Sequence, residues 1–455
     1  MLRRSLRITR ATLPLGFRQL LGGSFWLVLA AGLGQGSMLI AGILVANTLG
    51  VMDYGRYALL QMTVMLLAGL AQLSFSVVIS QQVAKLRNSD PQAASRIAGF
   101  CFAVTAMLGG LLALVLIGGR TFLSEQVFRD NTLTSGIAIL AIALPFIATS
   151  AVQQGMLNGL ERFREQTIVS LLLAPLVVLA PFLGARSYGL VGGMAGLVVI
   201  YSFRFVLTQL ILIRIFRAEN LSWAFNISLS RIRSLLSYAV PATIAGIVVW
   251  LAIWGGQTLL ARQEGSGADL GLFNASYMIR TLVIFIPQQM ALALLPLMTR
   301  TAVAGAAGGS QSLMRTSAWT VLGLSMLVAG IAALLAENLL HLFGEGFLEA
   351  QPILLLLLLS APIESVTWTL YQSLQSQGRF WKGLAWHSAP LAFSVLGAAI
   401  IFVPEYLAIG LAGAWLLGWT ISLPLILFAI RSTARRRNAD HREEDPALLP
   451  DEPNG

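Results

Sequence analysis

The feature that most constrains this chain is a succession of twelve apolar runs. They fall at 20–47, 57–84, 97–119, 132–157, 167–184, 188–213, 235–261, 272–299, 313–335, 350–376, 384–403 and 406–430. About 20 apolar residues carry a helix across the hydrocarbon core of a bilayer. Backbone in lipid must satisfy its own hydrogen bonds, which leaves only helices and closed barrels. The runs are long and rich in Leu, Ala and Gly, unlike the ~10-residue alternating strands of an outer-membrane barrel. A soluble domain is excluded on the same ground, since 56% of the residues are hydrophobic and 11% charged, with a mean hydropathy of +0.77. The expectation is an all-α polytopic membrane protein with twelve transmembrane helices.

Charge sets the orientation. Of the 30 Lys and Arg residues, 23 fall in inner segments and five (Arg56, Arg120, Arg129, Arg186 and Arg262) in outer loops when the N-terminus is placed inside. This positive-inside bias predicts that both termini are cytoplasmic. The net charge of +10 therefore reads as topology and as attraction to anionic lipid. Nucleic-acid binding would gather the basic residues on one soluble face. Cys101 is the only cysteine, and His341, His387 and His441 lie far apart, so no disulfide, metal site or cofactor is expected. Segment 1–19 interleaves five arginines with apolar residues and reads as an amphipathic segment on the inner surface. The run after it is too long for the apolar core of a signal peptide.

The chain also repeats. Leu49-Gly50-Val51-Met52-Asp53-Tyr54-Gly55 reads as a tight turn between the first two runs. Asp53 and Asp269 are 216 positions apart, as are Gly55 and Gly271. Pro145 and Pro362, and the Arg-Phe pairs Arg162-Phe163 and Arg379-Phe380, are each 217 apart. Pro175 and Pro390 are 215 apart. These offsets predict two six-helix lobes, 20–217 and 235–431, related by a pseudo-two-fold axis along the membrane normal around a central cavity. A cytoplasmic linker at 218–234 and a disordered cytoplasmic tail at 432–455 complete the expected organisation. Gly32, Gly34 and Gly36 read as small residues for close helix packing. No strand precedes them, as a dinucleotide loop would require.

The pattern Leu49-Gly-x-x-Asp53-Tyr-Gly55-x-Tyr57 resembles the polysaccharide transporter family. Pro241 entering the seventh run, Pro287-Gln288-Gln289, Pro296-Leu-Met-Thr-Arg300, Leu342-Phe-Gly-Glu-Gly-Phe347 and Gly378-Arg379-Phe380 fit the same pattern. That family belongs to the multidrug/oligosaccharidyl-lipid/polysaccharide exporter superfamily, and the resemblance covers about residues 18–431. It implies a flippase, not an enzyme, that moves undecaprenyl-pyrophosphate-linked oligosaccharide across a bacterial inner membrane by alternating access. Such a protein serves lipopolysaccharide or exopolysaccharide assembly. The implied partners are the lipid-linked oligosaccharide, the bilayer, a polysaccharide polymerase and a chain-length regulator, with a proton or sodium ion for coupling. Two other readings stand beside it. A drug/cation antiporter of the same superfamily would want an acid-rich cavity. A non-transporting scaffold of an assembly complex would need no cavity chemistry.

Three charges lie inside the runs: Arg204, Arg280 and Glu364. A charge facing lipid is costly, so these should face a cavity or one another. Tyr201, Arg204 and Thr208 form a helical stripe, Tyr277, Arg280 and Thr281 cluster, and Glu364, Thr367, Trp368, Tyr371 and Gln375 share a face. Arginine stays charged and binds phosphate oxygens bidentately. Arg204 and Arg280 are accordingly the expected substrate-binding cations at two depths, with Tyr201, Tyr277 and Tyr371 as neighbours for sugars. Glu364 is the ion-coupling candidate, and its alternative is a buried ion pair with one of the arginines. Trp250 and Trp254 read either as sugar-stacking or as packing residues.

Overall fold

The computed structural model describes residues 15–219, 229–264, 266–303, 307–376 and 379–443. Among them there is no strand. The main helices are α1 Leu15–Gln72, α2 Phe75–Leu86, α3 Pro91–Gly118, α4 Thr134–Ala141, α5 Leu144–Gly159, α6 Phe163–Ala218, α7 Leu229–Ala261, α8 Gly267–Val303, α9 Ala307–Leu334, α10 Gln351–Ser376 and α11 Ala389–Glu443. Parts of three expected segments (1–14, 220–228 and 444–455) lie outside the described residues. The expected tail at 432–455 is helical as far as Glu443, where Ala and Arg are strong helix formers.

Eight of the described helices are long and apolar enough to cross a membrane, or nine if Asn131–Ala141 and Leu144–Gly159, bent by 44°, form one span. Twelve uninterrupted helices are not seen, because three of the spans are broken rather than looped. Val28–Gln72 breaks at Gly50 (φ 75°), Phe163–Ala218 at Tyr188 and Gly189, and Phe380–Ser432 at Leu407 (φ 46°). Each break is one or two residues long, so helical geometry resumes at once. Glycine takes the left-handed conformation at Gly50 without the clash that a Cβ would bring. The turn expected around residues 49–58 is therefore a single residue, with Asp53 already inside the next helical turn. In α6 the chain doubles back. A Cβ on Gly184 or Gly192 would strike the carbonyl of the other.

The amino-terminal part of the chain (α1–α6) and the carboxy-terminal part (α7–α11) pack closely on each other, α1 lying along α8. In the first, α1 packs along α6, while α2 and α3 pack on α5. In the second, α7 packs on α11, and α10 lies between α8, α9 and α11. The largest apolar cluster straddles both halves, from Val45 and Leu140 to Leu270, Phe347 and Trp415. Leu114, Leu334 and Phe393 are exposed, as suits an apolar solvent outside.

The two halves meet at the Gly50 end through the repeated motif itself. A Cβ added to Gly55 would lie 2.6 Å from the backbone nitrogen of Gly271, and one on Gly271 would strike the Val51 carbonyl. Only glycine at both positions lets the two helix starts touch. Around them Asn47 donates to the Leu342 carbonyl at 2.7 Å, and the Tyr54 ring meets Phe343 and Phe347 at 6.2 and 5.7 Å. The two motif aspartates have diverged. Asp53 binds Arg56 at 2.8 Å, and Arg56 reaches on to Asp130 at 2.7 Å. Asp269 instead accepts the Ala408 amide at 3.4 Å, just past the break at Leu407. At the opposite end Arg162 pairs with Glu219 at 2.6 Å and Arg87 with Glu161 at 2.9 Å.

Candidate functional site

A cleft lies in the amino-terminal half. Both arms of α1 form one wall, with Ser37 before the Gly50 break and Tyr54, Tyr57 and Gln61 after it. α5 contributes Ser150 and Gln154, and α6 contributes Gln166 from its first arm and Tyr201, Arg204 and Thr208 from its second. Met278 of α8 is the one lining residue from the other half, and its sulfur accepts from the Tyr54 hydroxyl at 3.4 Å. Among the described residues Arg204 is the only charged one in the lining. Its guanidinium donates to Gln154 Oε1 at 3.3 Å, and no carboxylate among the described residues lines the cleft to neutralise it. Thr208 turns its hydroxyl back to the Arg204 carbonyl at 2.8 Å. The rest of the wall is apolar, including Leu173, Val177 and Leu197. In chemical terms this is an apolar shell with one open cation, three amides and several hydroxyls.

The polar stripe read from the sequence in the sixth run thus faces the cleft, bringing Tyr201 and Arg204 together. The other expected residues lie elsewhere. Arg280 of α8 forms an ion pair with Glu364 of α10, and the two are 1% and 7% exposed. The Arg280 guanidinium also sits over the rings of Tyr277 and Trp415, 5.1 and 5.0 Å from their centroids. Ion pair and aromatic faces together enclose it, and neither it nor Tyr277 lines the cleft. This is the ion-pair arrangement for Glu364. The physical reason is the facing of α8 against α10: two opposite charges on packed helices gain more from each other than either gains from an apolar wall. Tyr371 lies apart from both, with its ring 4.5 Å from His387, whose Nδ1 bonds Ser422 Oγ at 2.9 Å. Trp254 is a packing residue across the halves. Its indole N–H donates to Thr63 at 3.0 Å and its ring meets Phe128.

Sequence reasoning ranked groups by charge and so passed over Gln61, Gln154 and Gln166. Their signal was present, because amides are rare inside membrane runs and must find partners there. The glycines of the first run also differ from expectation. A Cβ at Gly32, Gly34 or Gly36 would meet nothing within 4 Å, and Gly34 lines the cleft. They border open space instead of a packed helix.

Among the described residues no group of three His, Cys, Asp or Glu side chains is placed to hold a metal ion. Outside the spans, two charges are tuned by their partners. Part burial pulls the Asp130 carboxyl upward, but the Thr132 hydroxyl and amide together with Arg56 outweigh it and hold it below the usual aspartate value. The hydrogen bond to Glu219, against the pull of partial burial, holds Arg162 above its ordinary value.

Residues 20–302 match the family model described as Polysaccharide biosynthesis protein. A relative, the EPS I polysaccharide export inner membrane protein EpsE of Ralstonia nicotianae, is 23% identical over 428 residues, covering 88% of this chain and 90% of its own. Among solved structures, a multidrug resistance MATE family transporter of the MOP superfamily in its inward-facing conformation superposes with a TM-score of 0.73 at 16% identity, over 89% of this chain and 96% of that one. Lipid II flippase MurJ in an inward closed conformation gives 0.71 at 12% identity, over 88% and 86%. At these identities the likeness carries the fold, which is the all-helical membrane architecture of that superfamily.

Proposed function

Because the chain belongs to the polysaccharide biosynthesis protein family, we propose that it is a flippase for undecaprenyl-pyrophosphate-linked oligosaccharide in a bacterial inner membrane. The observation that carries this reading is the cleft in which Arg204 is, among the described residues, the single charge and has no carboxylate beside it. A pyrophosphate crossing the membrane needs a replacement for its water shell. A guanidinium offers this as a bidentate donor that keeps its charge. The surrounding amides and hydroxyls suit the glycan, the apolar wall suits the adjoining prenyl units, and the rest of the chain remains in lipid. A cationic drug would meet the Arg204 charge there with no carboxylate among the described lining residues to offset it.

In this reading each of the three broken helices crosses the membrane twice. Added to nine spans, the three breaks give twelve helices in two six-helix lobes. Both termini are then cytoplasmic and the Gly55–Gly271 contact closes the periplasmic end. Alternating access would part that contact. The Arg280–Glu364 pair, off the cleft, holds α8 to α10 and is poorly suited to carry a coupling ion. A polymerase and a chain-length regulator are the partners that would use the exported glycan.

Two experiments test this. Reporter fusions after Arg217 and Arg437 should report cytoplasm, and one after Glu264 periplasm; a periplasmic C-terminus would overturn the two-lobe topology. In proteoliposomes carrying a lipid-linked oligosaccharide, the wild-type protein should deliver the glycan to the opposite leaflet and R204A should fall at least tenfold. Equal delivery by both would remove Arg204 from the mechanism.

A further inference from the structure

A second cavity, an open groove, begins where the cleft ends. The two share Gln154, whose Oε1 accepts from Arg204. One side of the groove is built by Gln72, Ser76 and Ser80, and the other by Gln154 and Asn158 of α5. Gln72 ends α1 and Ser76 begins α2. Between them the backbone breaks at Leu73 and Ser74, both left-handed at φ 46° and 51°. Non-glycine residues adopt that conformation only when the surroundings hold them there, and such residues gather at functional sites. Ser74 is held by Thr243 of α7, hydroxyl to hydroxyl at 3.1 Å.

Among the described residues no charged side chain lines the groove. Three buried polar atoms along the combined path have no hydrogen-bond partner: Ser150 Oγ and Gln166 Oε1 in the cleft, and Asn158 Oδ1 in the groove. Ser150 and Gln166 are only 7% and 8% exposed. Buried polar atoms in folded proteins are almost always partnered. Those three are acceptors or acceptor–donors closed off from the cavity surface, so a sugar hydroxyl supplies what each lacks only once the side chain turns toward the path.

We infer that the groove beside α2 and α5 is a glycan subsite, and that it takes an uncharged sugar segment directly attached to the pyrophosphate held at Arg204. This inference rests on the flippase reading and names the class of its cargo. The chemistry is one of spacing. One cation serves the pyrophosphate, and then a lane of amides and hydroxyls follows. Amides donate and accept at once, matching the paired donor and acceptor character of sugar hydroxyls. A carboxylate or sulfate on those first sugars would enter a partly buried lane with no second cation, and desolvation without a partner disfavours it.

The test uses the full chain in nanodiscs and three synthetic lipids: a polyprenyl pyrophosphate without sugar, the same lipid bearing a neutral disaccharide, and one bearing a uronic acid as its first sugar. The neutral glycolipid should bind at least tenfold more tightly than either of the others. Asn158→Leu should erase that tenfold preference while still binding the sugarless pyrophosphate lipid. Gln72→Met, at the rim of the groove, should reduce the preference severalfold and guards against misfolding of the first variant. R204A should weaken all three. Equal binding of the sugarless and neutral lipids, or a preference that both groove variants keep, would overturn the subsite and leave Arg204 intact as the pyrophosphate hold. Binding of the uronate as tight as that of the neutral glycolipid would overturn the charge selectivity. Failure of all three lipids to bind would refute the flippase reading itself.

Discussion

Arg204 and Arg280 are the same residue type at membrane depth, and their surroundings make them opposites. Arg204 stands in a cleft with an amide for a neighbour and no carboxylate among the described lining residues. Arg280 is closed against Glu364 between two aromatic rings and is 1% exposed. The first can meet a ligand's charge. The second has already spent its charge on a helix contact. An intramembrane charge is thus not by itself a sign of a binding site; the sign is the absence of a counter-charge next to an open space.

The largest effect should come from splitting the closed pair. Removing one member of a buried ion pair leaves an uncompensated charge and costs about 3–5 kcal/mol. R280A and E364A should therefore accumulate poorly in the membrane and unfold early in detergent. Replacing both at once, as R280M with E364L, should restore folded protein, because an apolar pair of similar volume is often neutral or stabilising. A double variant as unstable as the singles would mean that the charges do more than hold α8 to α10.

R204A should do the reverse, with unchanged protein level and unfolding temperature but export lowered at least tenfold. R204K should recover only part of that export, since lysine keeps the charge and loses the planar fork. An R204A protein as unstable as R280A would erase the distinction between the two arginines.

Glycines offer a smaller contrast of the same kind. G55V forces a side chain against the backbone nitrogen of Gly271, and overpacking of that sort costs about 1–3 kcal/mol. G34V meets nothing within 4 Å and should leave thermal stability unchanged while narrowing the cleft and slowing flipping. Thermal unfolding of both variants beside a glycan-export assay separates the two effects.

The smallest effect concerns Asp130. Its carboxyl is held below the usual value, so it adds stability that is fully present above the unfolded aspartate value of about 3.9 and is lost as pH falls through the lower, folded one. D130N should lower the unfolding temperature slightly at pH 7, and the gap to wild type should close toward pH 3. A gap that does not depend on pH would mean that the Arg56–Asp130 contact owes little to charge.

Much was legible in advance because lipid imposes a strict code. Run length and the absence of alternation gave an all-helical membrane protein, since no other backbone survives unpaired in hydrocarbon. Arg204, Arg280 and Glu364 stood out because charge at that depth is rare. The role of each was not legible. Arg280 and Glu364 lie 84 positions apart, with nothing local to relate them. Only the packing of α8 on α10 brings them together. The amides of the cleft carried a weaker signal than charge, and the groove depends on a left-handed break at Leu73 and Ser74 that no glycine announces.

What the sequence determined by itself is the material: apolar helices, the twofold repetition of the Asp-x-Gly motif, and a short inventory of polar groups that would have to be accommodated. Hydropathy and charge are local properties, and the bilayer acts on them one segment at a time. Tertiary structure decided the partners. It brought Gly55 against Gly271, paired Arg280 with Glu364, and left Arg204 beside an open cleft. Those outcomes depend on which helix faces come together, and a side chain's free energy in a membrane is set by what lies opposite it.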